Sequence, residues 1–378
     1  MERCDVVVVG GGPAGSSCAW RLRRAGLDVV VLDKKRFPRD KICAGWVTPQ
    51  ILEALALDPR DYAKERVLQP IHGFRVSQLR EPAGPEARVD YGRPVSYAIR
   101  RCELDAYLLA RSGARLRLGE PLRELRREGG RWIVNGALEA PLLVGAGGHF
   151  CPVAQELGAV TGPPAPVIAA QEIEFRMSEA DAARCPVEPE LPELYFTADL
   201  AGYGWVVRKG DWLNVGLGRQ DVHALSEHVA RFVETLRARG RLAAALPARP
   251  HGHAYLLYGE SQRPLGAEGV LLVGDAAGLA YPRSGEGIRP AVESGLLAAS
   301  AILEARAGRA PDALAAYERA LRTRLGAAPA ADAQSPARPA PGWKRALAGH
   351  LLGSPLFARH VVLDRWFLHR REPALAAG

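Results

Sequence analysis

The chain changes hydrophobic period several times. Val6–Val9 is an unbroken β-branched run, the pattern of a strand buried on both faces. Ser16–Ala25 then places Ala19 and Leu22 on one side of a helix, which Gly26 closes as a C-cap. Val29–Leu32 is a second buried run, ending at Asp33. Two later runs also end in glycine: Leu142–Val144 leads into Gly145-Ala146-Gly147-Gly148, and Val270–Val273 leads into Gly274-Asp275. From Val167 the period falls to two. Val167–Phe175 and Leu194–Gly218 alternate through Ile173, Phe175, Tyr195, Val207, Val215 and Leu217, and His251–Tyr255 forms a further short strand. Helical spacing returns over Asp221–Arg241, with Val229, Phe232, Val233 and Leu236 on one side, over Arg289–Ala305, and over Asp312–Leu325, where Asp312 stands as N-cap. Buried runs linked by helices and then alternating strands predict an α/β chain: a parallel sheet with helices, an antiparallel sheet and a helical appendage at the C-terminus.

Composition narrows the class. The 378 residues are 48% apolar and 24% charged, enough apolar material for a globular core. Lysine and arginine number 50 against 42 aspartates and glutamates, a net charge of +8. Residues 343–378 hold six basic and two acidic side chains, so +4 of that charge lies in the last tenth of the chain. The excess is therefore a property of one segment, and no nucleic-acid partner is expected. An amphipathic, basic C-terminal segment leaves peripheral contact with anionic lipid as an open alternative to docking on the protein. The six cysteines form no paired spacing, which reads as free thiols in a reducing cytoplasm. No apolar run reaches the ~18 residues a membrane span needs. His251 and His253 share a strand face without a third ligand at matching spacing, so no metal is expected. Residues 326–342, rich in alanine and proline, read as a linker.

The chemistry concentrates at the first βαβ unit. Gly10-Gly11-Gly12-Pro13-Ala14-Gly15 follows a strand and opens a helix, and Asp33, with Lys34 beside it, stands about 20 residues further on. Gly10 permits the tight turn, Gly12 lets a pyrophosphate approach the backbone, and Gly15 lets helix and strand pack. The helix N-terminus faces the phosphates, and Asp33 accepts from ribose hydroxyls. This is a Rossmann-like nucleotide site. Gly274-Asp275 ends another strand, where a carboxylate suits the ribityl chain of a flavin. Gly285, Gly287 and Ile288 then lead into a helix whose backbone N–H groups face a ring that becomes anionic on reduction.

These motifs resemble those of the FAD-dependent oxidoreductases of the glutathione-reductase-like class, over roughly residues 1–325. In particular, the chain is similar to the group that holds aromatic hydroxylases and geranylgeranyl reductases. The resemblance implies an FAD contact for Arg101 in Arg101-Cys-Glu-Leu-Asp105. Lys41-Ile42-Cys43-Ala44-Gly45-Trp46 resembles the reductase branch's Lys-x-Cys-Gly-Gly, which places Cys43 by the flavin ring. Gly202-Tyr203-Gly204-Trp205 resembles Tyr-x-Trp-x-Phe-Pro, with Val207-Arg208 in place of Phe-Pro. Tyr203 and Trp205 share a strand face and, with Cys43, are the catalytic candidates. Trp46, Tyr203, Trp205, His253 and Tyr255 are the substrate-side candidates. The hydroxylases carry Gly-Ala-Asp-Gly where this chain has Gly145-Ala146-Gly147-Gly148.

The expected domains are an FAD-binding domain of residues 1–70, 93–160 and 260–325, a substrate domain of 71–92 and 161–259, the linker, and the basic helical segment 343–378. The expected activity is an FAD-dependent oxidoreductase that reduces or dehydrogenates an apolar, prenyl or lipid-like substrate by hydride transfer through flavin N5, with NAD(P)H as a candidate donor. Two alternatives stand beside it: a monooxygenase, and a flavoprotein that modifies a tryptophan side chain of a partner protein during oxidase maturation.

Overall fold

The computed structural model describes residues 1–80, 82–159, 167–220, 224–242, 246–247, 249–260, 263–326 and 342–376, with side chains from residue 347 onward in the last segment. Most of the expected linker lies outside the described residues. The chain divides into two compact units. One comprises Met1–Asp40, Cys102–Pro166 and Tyr255–Gln334; the other comprises Lys41–Arg101, Val167–Ala254 and Ser335–Gly378.

This division differs from the expected one at residues 255–259, which fall in the first unit, and more largely over residues 41–70 and 93–101. Those residues supply a small sheet, Trp46–Val47, Ser96–Ile99 and Leu68–Ile71, paired through Trp46↔Ala98 and Leu68↔Ile99. Trp46, Ile71 and Ala98 are buried in the core of the second unit, so burial of the small sheet assigns the segment there.

In the first unit, among the described residues, six strands lie in the order Gly266–Ala267, Val270–Leu272, Leu142–Gly145, Val6–Val9, Val29–Asp33, Arg115–Leu118. All pair in parallel except the Gly266–Ala267 edge. The helix Pro13–Arg24 connects Val6–Val9 to Val29–Asp33 and packs against the helix Ile288–Arg306. That packing is close. A Cβ at Gly295 would stand 2.2 Å from the Ala14 carbonyl oxygen, so only glycine allows the approach. Asp312 caps the helix Ala313–Leu325 by accepting from the Ala315 N–H at 2.7 Å, as expected.

The second unit is built on a seven-stranded sheet. Its order is His251–Leu256, Val167–Arg176, Trp212–Arg219, Gly202–Lys209, Glu193–Thr197, Gly73–Leu79, Ala87–Asp90. The alternation assigns its two faces. Ile173, Val206, Val215 and Leu217 point to one side, where the helix Leu225–Ala238 covers them with Val229, Phe232, Val233 and Leu236. Residues 221–223 of the expected helix lie outside the described set. The opposite face carries Leu194, Phe196, Trp205 and Val207.

The C-terminal segment folds onto that second face. After the helix Gly342–Leu352, the chain runs through a short turn at Pro355–Phe357 into a π-type coil at Ala358–Phe367. Val362, Leu363, Phe367 and Leu368 are buried in the same core as Trp46 and Trp205. Asp364 accepts from the Tyr91 hydroxyl at 2.9 Å, and the Arg359 and Arg370 guanidinium groups lie over the Tyr91 ring. Among the described residues, no helix is long and apolar enough to cross a membrane.

Candidate active site

The glycine-rich turn is shaped by close approach at two positions and by open space at a third. Gly10 has φ +116°, and a Cβ there would stand 2.3 Å from the Ala146 carbonyl oxygen. A Cβ at Gly15 would stand 1.9 Å from the Gly10 carbonyl oxygen. Gly12 is different: within 4 Å its Cβ would meet only the Arg39 guanidinium, at 3.5 Å. The turn is therefore packed from behind and open in front of Gly12. Pro13 and Ala14 begin the helix, and Gly12, as N-cap, offers no side chain to its N–H groups.

Asp33 is held by the protein itself. One carboxylate oxygen accepts from the Gly11 N–H at 2.7 Å, and the other accepts from the Lys35 N–H at 2.8 Å. Asp33 thus ties the turn to the second strand, and each oxygen keeps a further lone pair for a ribose hydroxyl. Lys34 is exposed. Arg39, absent from the expected site, is held by the fully buried Asp105 at 3.2 Å and stacks over Phe37. Asp105 is the last residue of the Arg101 motif, so the motif delivers its carboxylate to a different arginine in this unit. Arg101 itself belongs to the second unit, where it is buried.

Gly274, with φ +60°, donates its N–H to Ser294 Oγ at 3.0 Å. Arg263 bonds the carbonyls of Asp275, at 2.9 Å, and of His149, at 2.7 Å, clamping the Asp275 turn to the His149 loop. Asp275 Oδ1 would be 3.5 Å from a Cβ on Gly287, which brings the two flavin motifs together. A Cβ at Gly285 would stand 2.3 Å from the Tyr255 hydroxyl, so Tyr255 backs this turn. Tyr255 falls in the first unit and packs on the Gly285 loop. A Cβ at Gly147 would stand 3.1 Å from both Cys151 Cα and Sγ, so Cys151 crowds the position where the hydroxylases carry aspartate.

The second unit holds the polar network around Cys43. The Cys43 backbone N–H donates to Glu172 Oε1 at 2.6 Å, and the Asn214 amide donates to the Cys43 carbonyl at 3.2 Å. Asn214 in turn accepts from the Trp205 indole N–H at 2.7 Å. Gly45, with φ +70°, passes directly over the buried Lys209, whose ammonium would stand 2.6 Å from a Cβ there. Lys209 pairs with Glu174 Oε1 at 2.8 Å. The Cys43 loop is therefore pinned to one sheet face by two polar groups, Glu172 and Asn214, with Lys209 packed beneath Gly45. Trp205, 5% exposed, lies across Gly216, where a Cβ would stand 2.3 Å from its ring. Tyr203 is half-buried between Trp205 and Phe367, and Trp46 packs on Phe74 and Phe367. His253 lies against Lys41, with Nζ 2.6 Å from Nε2. Among the described residues no cluster has the makings of a metal site.

Glu172 is the residue the alternation alone did not single out. It is 5% exposed, and its Oε2 is buried without a hydrogen-bond partner among the described residues. Burial pushes its carboxyl up to about 7, while the Lys209 ammonium and the Cys43 N–H pull the other way. Burial likewise pushes the Cys43 thiol above its ordinary value. The available signal was the spacing of Glu172 and Glu174, two acids on one face of a strand whose other face carries Ile173 and Phe175.

The shift has a stability consequence. Folded Glu172 binds its proton more tightly than the unfolded chain does, so its favourable contribution holds at low pH and is lost as pH rises from 4.5 to about 7. Relative to wild type, Glu172→Gln should gain about 3 kcal/mol of unfolding free energy between acid and neutral pH. Denaturant titrations at the two ends measure this, and a difference flat with pH would show an unshifted carboxyl.

Comparisons with known proteins agree with this geometry. The family described as FAD dependent oxidoreductase matches residues 5–90. The digeranylgeranylglycerophospholipid reductase of Methanothrix thermoacetophila is 30% identical, over 86% of this chain and 84% of the relative. The chain belongs to this geranylgeranyl reductase family of FAD-dependent oxidoreductases. The menaquinone reductase of Mycobacterium tuberculosis is 31% identical over 81% of this chain and 78% of its own. A solved geranylgeranyl bacteriochlorophyll reductase-like protein from Thermoplasma acidophilum shares the fold, with a TM-score of 0.73 at 23% identity, covering 93% of this chain and 88% of that one. The cofactor is FAD. The first unit fits it: the open space before Gly12, flanked by the Arg39 guanidinium, suits a pyrophosphate.

Proposed function

We propose that this enzyme saturates carbon–carbon double bonds in a prenyl chain or a similar apolar lipid. Bound FAD, once reduced, supplies the hydride. In this reading Gly10, Gly12, Pro13, Ala14, Gly15, Asp33, Lys34 and Arg39 hold the adenosine and pyrophosphate. Gly274, Asp275, Gly285, Gly287 and Ile288 hold the ribityl chain and ring, and Arg101 is a further cofactor contact. Trp46, Tyr203, Trp205 and His253 serve the substrate side, and NAD(P)H is the donor.

The observation that carries the reading is the Cys43 loop. It sets a protonated thiol and a buried carboxyl on the same sheet face as the Tyr203–Trp205 aromatic row. Proton donors beside apolar surface are what saturation of an alkene requires. A thiol and a carboxyl that burial keeps protonated are suited to donating protons, while the crowding of Gly147 by Cys151 disfavours the hydroxylase arrangement. Peripheral lipid contact of the C-terminal segment belongs to the same proposal, through the exposed Leu347 and Leu356.

The test is anaerobic. The purified holoenzyme is reduced with dithionite, then mixed with geranylgeranyl lipid or with air. Reoxidation by lipid alone, with loss of double bonds by mass spectrometry, is the expected result. Rapid oxygen use with a hydroxylated product would overturn the proposal in favour of a monooxygenase.

A further inference from the structure

We propose that Glu172 is the acid of this site, delivering from Oε2 the proton that completes saturation of the substrate double bond. The inference rests on the reductase reading and deepens it.

The carboxyl is aimed by its surroundings. Oε1 is fixed by the Cys43 N–H at 2.6 Å, the Asn214 amide also bears on the carboxyl, and Oε2 is the buried oxygen without a hydrogen-bond partner among the described residues. Glu172 pairs across the sheet with Gly216, and Gly216 pairs with Trp205, so the three lie in one row. Glycine in the middle of that row is required on both sides: a Cβ would meet the Trp205 ring at 2.3 Å and the Glu172 Cβ at 2.7 Å. The row therefore brings an acid and an indole face into register with nothing between them. A buried carboxyl oxygen left unpartnered costs stability, which is the pattern of a group kept for chemistry.

Saturating a carbon–carbon double bond adds a hydride to one carbon and a proton to the other. The hydride is the reduced flavin's. The O–H bond of Glu172 breaks, a C–H bond forms at the second carbon, and both alkene carbons become saturated. The carboxylate left behind is reprotonated from water. Lys209 and the Cys43 N–H stabilise that anion, with Glu174 opposing it. Arg101 and Lys209 also act on Cys43. Arg100 engages Glu174 at 3.4 Å, so the cations named here outnumber the carboxylates. Of the two protonated groups here the carboxyl is the stronger acid, and its range near neutrality lets it both donate and refill.

The test compares wild type, Glu172→Gln and Glu172→Asp. Each is reduced with dithionite and reoxidised by geranylgeranyl lipid in single turnovers across a pH series. Infrared spectra follow the carbonyl stretch of protonated carboxyls in the same pH range, independently of turnover. FAD absorbance and thermal unfolding establish that each variant is folded and loaded. The expected result is a wild-type rate that falls above neutral pH, a loss of at least about 100-fold in Glu172→Gln with that pH limb gone, and partial recovery in Glu172→Asp. A carbonyl band that titrates near neutrality and is missing from Glu172→Gln completes the assignment. A Glu172→Gln enzyme that reacts at the wild-type rate, or a wild type without such a band, overturns the inference alone. A wild type inert towards every prenyl lipid overturns the reductase reading, and the inference with it.

Discussion

Alanine in place of Gly15 is expected to leave a protein that no longer retains FAD and that unfolds more easily by about 2–3 kcal/mol. The added Cβ would sit 1.9 Å from the Gly10 carbonyl oxygen and 3.1 Å from the Ala146 Cβ. Neither neighbour has room to retreat. Gly10 is itself pressed against Ala146, where even a hydrogen-to-methyl change would meet the carbonyl at 2.3 Å. The helix Pro13–Arg24 would have to lift from the strand, carrying the Gly12 approach with it. Flavin absorbance after gel filtration, together with denaturant unfolding, measures both effects. A variant that keeps stoichiometric FAD would show that the turn tolerates displacement.

The second large effect is expected at the other end of the chain. Phe367→Ala should cost about 3–5 kcal/mol in the second unit. Phe367 is 1% exposed, and its ring centroid lies 5.2 Å from Tyr203, 6.0 Å from Trp46 and 6.4 Å from Phe196. Truncation would open a cavity in the middle of this aromatic cluster, and the neighbouring rings sit on sheet strands that cannot collapse to fill it. Chemical denaturation followed by tryptophan fluorescence reads the change. A loss below about 1 kcal/mol would place the segment off the sheet in solution.

Legibility from sequence tracks how local each feature is. Gly10–Gly15, its flanking strands and Asp33 lie within 30 residues, so a strand, a turn and a helix announce themselves in order. The capping role of Asp312 and the apolar stripe of Leu225–Ala238 were readable for the same reason. Arg39 was not, because its significance depends on Asp105 and on which way the chain leaves the second strand. Tyr255 stands on the expected short strand, but its contact with the Gly285 loop was not readable, because a strand residue does not say which loop stands across from it.

The sequence by itself determined the βαβ nucleotide site, the flavin motifs, the two-faced alternating strands and the family they resemble. These depend on period and on backbone conformations that only glycine adopts readily. Only the tertiary structure decided the register that puts Glu172, Gly216 and Trp205 in one row, the pinning of Cys43 by Glu172 and Asn214, and the docking of the C-terminal segment. Alternation names the face a strand residue occupies, but its partners on that face are set by how segments 11 to 129 residues apart come into register, and burial of the whole sheet makes that choice.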